Sequence, residues 1–196
     1  MRHSYAITDS NGEGYLITHA GLTESWYRDI AKTKGYNSSK GFPATTDTTD
    51  TTDYMQDTLT QATLSPDAYP SHLEVSDYLN KADINDLIEA GNIIQPVSNS
   101  HAGIFWADCS SELYPSWVDV DFVPFHQVHG HTTIYSWEQK KELTHYPFFI
   151  TKNALRDDEK MRTVWTQQGK RFYAIDLAFS KSWHHPYIPA LHIVGE

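Results

Sequence analysis

Cysteine is almost missing from this sequence: Cys109 is the single one in 196 residues, so no disulfide can form within the chain. Its neighbours Asp108, Ser110 and Ser111 include no base or cation to lower the thiol pKa, which makes it a structural residue and not a nucleophile. Positive charge is scarce as well. Fifteen Lys and Arg face 25 Asp and Glu, a formal charge of -10, and no basic cluster is present to track a phosphate backbone. Nucleic-acid binding driven by counterion release is thereby excluded, whereas a phosphorylated substrate is not, because a metal ion supplies positive charge locally. No run comes near the roughly 18 apolar residues that span a bilayer. The Met1 to Ser4 start has no apolar signal-peptide core, so a cytoplasmic protein without a membrane segment is expected, and the sequon Asn37-Ser38-Ser39 is read as accidental. A Gly-x-Ser-x-Gly elbow and a glycine-rich phosphate loop are also lacking.

Apolar and aromatic matter is plentiful, at 39% and 13% of the chain, enough for a folded core in one domain over residues 1–196. Tyr5–Ile7 and Gly14–Thr18 read as strands around the turn-forming Asp9–Gly14. A helix is expected over Glu24–Lys34 with Thr23 as its N-cap and Gly35 as its stop. Two more are expected over His72–Ala82 and Ile84–Ala90, separated by the capping residue Asp83. The Thr/Asp-rich tract within 41–56 has nothing to bury and reads as a mobile insertion. An extended stretch begins at Ile93, a packed aromatic loop covers His101–Trp117, and Val118–Phe122 alternates Val with Asp. Strands are expected at Phe125–Val128, Arg171–Ala178 and Ile188–Val194, for a total of six or seven, while the charged run Arg156–Lys160 reads as a solvated face.

Two phrases carry the chemistry. In Gly14–Leu22, GYLITHAGL, an apolar strand delivers His19 into Ala20-Gly21; in Gln127–Thr132, QVHGHT, a second strand delivers His131 behind Gly130. A strand end holds the backbone still while its loop presents side chains, and small neighbours allow close approach to an ion or phosphate. Neutral imidazoles are ligands for Zn, Fe or Mn, so two of them provide half of a common coordination shell. His19 and His131 are the candidate metal ligands. His129 shares strand parity with His131 and is a weaker candidate for the same pocket; His126 does not share it. His101, His184 and His185 are assigned to structure, and the six tryptophans, Trp106, Trp117 and Trp137 among them, fill core or cover a groove.

The order Tyr15–Leu22, Ile104-Phe105-Trp106, Gln127–Thr132 and Tyr173–Leu177 resembles the second half of calcineurin-like metallophosphoesterases, above all the bacterial Ser/Thr-phosphatase type. The likeness covers nearly the whole chain apart from the Thr/Asp insertion. It implies an α/β (α+β) chain that is part of a two-sheet αββα sandwich of mixed sheets, with helices mainly in the first half. It also implies that His19 and His131 are ligands of one of two divalent metals, Mn, Fe or Zn, and that the reaction is metal-assisted phosphoester hydrolysis. The family's Asp-x-His, Gly-Asp-x-x-Asp-Arg and Gly-Asn-His phrases are not among these residues; Gly91-Asn92 is followed by Ile93, and Arg156-Asp157-Asp158 lacks the glycine. The expectation is an incomplete bimetal site, weak or inactive alone, completed by an amino-terminal half on a separate chain or managed by homodimerisation. A second reading is a non-catalytic binding or regulatory module that uses the aromatic loop Ile104–Trp117 as its surface. A third is a Zn enzyme built on His129 and His131 with a nearby Asp.

Overall fold

A computed structural model describes residues 2–36, 69–89, 104–118, 120, 122–136, 140–142, 154–159, 162–175 and 193. The Thr/Asp insertion, the stretch from Ile93, His101, Asp119, Asp121, Trp137, His184 and His185 lie outside them, as does the strand expected at 188–194 apart from Ile193.

The chain is mixed α/β, built on a six-stranded mixed sheet with few helices. Strands β1 (Ser4–Thr8) and β2 (Gly14–Thr18) form the expected hairpin, closed where the Asp9 carboxylate accepts the Asn11 and Glu13 amides at 2.9 and 2.8 Å. Helices α1 (Glu24–Thr33), α2 (His72–Lys81) and α3 (Ile84–Glu89) follow. Next come a wide helical turn at Cys109–Leu113, a single α-turn at Tyr114–Ser116, and strand β3 (His126–His129). The two-stranded β4 (Tyr135–Ser136) and β5 (Lys141–Glu142) precede β6 (Ala154–Asp157), β7 (Arg162–Gln167) and β8 (Lys170–Ala174). In space the main sheet runs β1-β2-β3-β8-β7-β6, with β2, β3 and β8 mutually parallel and the remaining pairs antiparallel.

Alternation along the strands sends Leu16, Trp165 and Phe172 to one face, where Trp26, Tyr27 and Ile30 of α1, Val75 and Leu79 of α2, and Tyr114 and Trp117 close a buried core. The opposite face carries a smaller cluster, Tyr15, Val128 and Tyr173, flanked by half-buried Ile17 and Val164. Among the described residues no helix is long and apolar enough to cross a membrane.

Local chemistry explains the boundaries and several departures from expectation. Ser71 and Glu74 form a reciprocal capping box on α2, and Asp83 accepts the Asn85 amide at the start of α3. Thr23 has N-cap backbone geometry, but its hydroxyl makes no cap bond; the Glu24 amide donates to Ser116 Oγ at 3.0 Å, so the α-turn at Tyr114–Ser116 caps α1 from across the core. Gly35, at φ 81°, ends α1 as expected. The described residues of Val118–Phe122 form no strand. The described residues of the charged run Arg156–Lys160 are solvated as expected, with Arg156, Asp158 and Glu159 exposed; the run also ends a strand that was not expected, since Arg156 and Asp157 close β6 ahead of β7, where Thr163 and Trp165 are buried.

Candidate metal-binding site

The site grows out of the parallel pair β2 and β3. Their register pairs Thr18 with His129, and one further ladder bond, from the Gly130 amide to the His19 carbonyl at 2.8 Å, carries the pairing beyond both strands. Residue 19 therefore lies beside residue 130, at the carboxyl ends of parallel strands, where open α/β sheets commonly bind ligands. The next residue, His131, has φ 65°, and the Thr132 amide reaches back to the Gly130 carbonyl at 2.7 Å. A three-residue turn with positive φ at its centre is a rare γ-turn form, and left-handed backbone costs a non-glycine residue roughly 1–2 kcal/mol. Strain of this kind persists only where the surroundings over-determine it, and it gathers at functional sites.

This turn directs the His131 ring at that of His19. Their centres lie 5.2 Å apart with 47° between the planes; His19 is exposed and His131 half-buried. Trp106 forms the third wall, edge-on at 5.2 Å to His131 and 6.5 Å to His19, and is 48% exposed. Its loop is tied to both histidine loops: the Ala20 amide donates to the Ile104 carbonyl at 2.9 Å, and the Cys109 amide to Thr132 Oγ1 at 2.8 Å. Cys109 is buried, and Asp108 holds the following turn by accepting from the amides and hydroxyls of Ser110 and Ser111. Burial pushes the Asp108 carboxyl upward, but those four bonds prevail and leave it below the usual carboxylate range.

The other histidines go elsewhere. His129 shares strand parity with residue 131, but the intervening turn breaks the alternation. Its ring is fully buried on the core side, Nε2 at 3.0 Å from the Tyr114 hydroxyl and Nδ1 at 3.2 Å from the Gly130 carbonyl, so it does not line the pocket of His19 and His131. His126, at the other end of β3, stacks on Tyr15 at 4.6 Å, accepts the Arg171 amide at Nδ1 and faces Glu13 with Nε2. Burial, followed by the nearby Lys170 cation, holds its pKa below 6.5; Lys170 in turn holds the Glu13 carboxyl below its ordinary range.

Gly21 has another reason to be small than ligand access. Gly21 has φ 96°, and a Cβ there would lie 2.3 Å from Leu113 Cδ2, so the core takes the space the glycine leaves. A Cβ on Gly130 would meet only the His19 carbonyl, at an ordinary 3.5 Å. In the aromatic loop, Ile104, Tyr114 and Trp117 belong to the core and Trp106 is left at the surface. Sequence reasoning placed the tryptophans in core or over a groove without singling out Trp106 as part of the site; its only signal was its place between the two histidine phrases.

Two imidazoles on one tetrahedral ion, with metal–nitrogen bonds near 2.0–2.1 Å, have ring centres roughly 5 Å apart. The His19–His131 pair matches that separation of ring centres. Among the described residues no group of three or more His, Cys, Asp or Glu is gathered to hold an ion. Compared with protein-family models, with curated proteins and with solved structures, the chain matches none of them.

Proposed function

We propose that this chain is the carboxy-terminal portion of a calcineurin-like metallophosphoesterase, in which His19 and His131 hold one divalent ion, Mn, Fe or Zn. The observation that carries the reading is the 5.2 Å approach of two imidazoles that lie more than a hundred residues apart in sequence, one of them on a strained turn. A divalent ion held there supplies a Lewis-acid grip on a phosphoester oxygen and lowers the pKa of a bound water. The chain's own contribution is geometric: β2 and β3 fix the two ring positions, and Trp106 packs edge-on against both rings. In this reading the six-stranded sheet is one layer of a two-sheet sandwich. Its second layer covers the face of Tyr15, Val128 and Tyr173, and is the family's amino-terminal half or a second copy of this chain.

Hydrolysis also needs carboxylates to share the ion and a group to protonate the departing alcohol. The reading therefore expects weak ion binding and little or no hydrolysis by the chain alone. Calorimetric titration of the full chain with Mn(II), Zn(II) and Fe(II), followed by assay on a chromogenic phosphate ester, tests this. One weakly bound ion that depends on both histidines supports it. Binding indifferent to His19→Ala and His131→Ala, or robust hydrolysis with two stoichiometric ions, overturns it.

A further inference from the structure

We propose that His129 is a positioning residue whose imidazole clamps the Gly130 carbonyl and thereby holds the left-handed turn that aims His131 at His19. Two ladder bonds fix the peptide unit between residues 129 and 130 from both neighbouring strands: the Ile175 amide donates to the His129 carbonyl at 2.9 Å, and the Gly130 amide to the His19 carbonyl. The next unit is the peptide plane between residues 130 and 131, which carries the Gly130 carbonyl. Gly130, lacking a Cβ, offers little resistance to a flip of that plane. If the plane turned, His131 would leave positive φ and its ring would swing away from His19.

Two donors converge on the Gly130 carbonyl. One is the Thr132 amide at 2.7 Å; the other is Nδ1 of His129 at 3.2 Å. A carbonyl only accepts, so the proton of His129 is on Nδ1 and the lone pair on Nε2, and the Tyr114 hydroxyl at 3.0 Å donates to that lone pair. Tyr114 cannot drift, because its ring stacks on Trp165 at 4.9 Å and meets Phe172 edge-on at 6.0 Å. Order thus passes from the aromatic core through a hydroxyl and an imidazole to one carbonyl, and from there to a ring at the surface. The purpose of the turn rests on the ion-binding reading above; the clamp itself does not.

Two substitutions separate the functions of the ring. In His129→Asn the amide nitrogen falls near the place of Nδ1 and still reaches the Gly130 carbonyl, while the link to Tyr114 is lost. In His129→Gln the terminal amide falls near Nε2 and keeps Tyr114, while the carbonyl clamp is lost. Tyr114→Phe preserves shape and removes only the hydroxyl. Three readouts on the full chain apply: hydrogen exchange at the Thr132 amide by NMR, Zn(II) affinity, and thermal midpoint. Thr132 protection and Zn(II) affinity should stay within about threefold of the parent in His129→Asn and fall about tenfold or more in His129→Gln, with Tyr114→Phe between them. Equal losses in Asn and Gln, or a lowered midpoint with Thr132 protection intact in Gln and Phe, would make His129 a core filler and overturn the proposal. A parent chain that binds no Zn(II) refutes the ion-binding reading, and Thr132 exchange still decides the clamp.

Discussion

The parallel strands β2 and β3 carry histidines at both ends, and the two ends are built in opposite ways. At the amino end, His126 is 6% exposed, stacked on Tyr15, and has both nitrogens engaged by Arg171 and Glu13. At the carboxyl end the His19 ring is exposed, and among the described residues no hydrogen bond or ion pair engages it; it faces His131 across 5.2 Å. One end has spent its hydrogen-bonding capacity on the fold. The other keeps the His19 ring available, and accepts a left-handed residue to bring a second ring beside it. Polar groups serving stability are satisfied internally, whereas a binding group is held in place by its backbone with its polar atoms directed outward.

Substitutions at the two ends should therefore change different observables. The largest effect is expected at the carboxyl end: His19→Ala and His131→Ala should each weaken Zn(II) or Mn(II) binding roughly hundredfold, about 2.7 kcal/mol, as read by calorimetry. Urea unfolding should move by no more than about 0.5 kcal/mol in the His19 variant. At the amino end the pattern should invert. His126→Ala removes a buried ring and leaves the Arg171 amide without its acceptor, so unfolding free energy should drop by about 2–3 kcal/mol with ion affinity unchanged. A His126 variant that impaired ion binding as strongly as His131→Ala would erase the distinction.

A third, smaller effect separates the ends by pH. The native state holds His126 below its ordinary pKa of 6.5, chiefly through burial and then the Lys170 cation, so between those two values the unfolded chain binds more protons than the folded one. Stability is then complete above pH 6.5 and declines below it, by at most about 1.4 kcal/mol per pH unit for one group. Glu13 acts lower down. Lys170 depresses its pKa, so its contribution is present above the carboxylate range and fades only as pH falls beneath it. Chemical unfolding measured from pH 8 to pH 5 should show the decline in the parent chain and a flatter profile in His126→Phe, which keeps a ring but cannot titrate.

The carboxyl end was legible in sequence because two short phrases put their histidines at strand ends, and parallel pairing did the rest. What escaped was non-local or non-periodic. Parity assigned His129 to the side of His131, because alternation assumes an unbroken strand and the positive φ at residue 131 ends it. Gly21 suggested room for a ligand, but no sequence rule shows that Leu113, ninety-two positions away, occupies that room. Strands β6 and β7 were hidden because their hairpin turn is charged and the buried positions of β7, Thr163 and Trp165, mix a polar residue with an aromatic. The helical turn at Tyr114–Ser116 was hidden by Pro115, which reads as a breaker yet occupies a first-turn position, where its missing amide is no loss.

The smallest effect tests whether the carboxyl end trades stability for geometry. At residue 131 a glycine relieves left-handed strain worth roughly 1–2 kcal/mol but gives the unfolded chain extra freedom worth about 0.5–1 kcal/mol. The difference predicts that His131→Gly unfolds at the same urea concentration as the parent or slightly above it, a gain of about 0–1 kcal/mol. His126→Gly, on a regular strand with its ring buried, receives no such relief and should lose at least as much as His126→Ala. A histidine kept where glycine is the more comfortable residue must be retained for what its ring does. Were His131→Gly instead as damaging to stability as His126→Gly, the ring at residue 131 would belong to the packing of the fold, and the two ends of the strand pair would differ only in exposure.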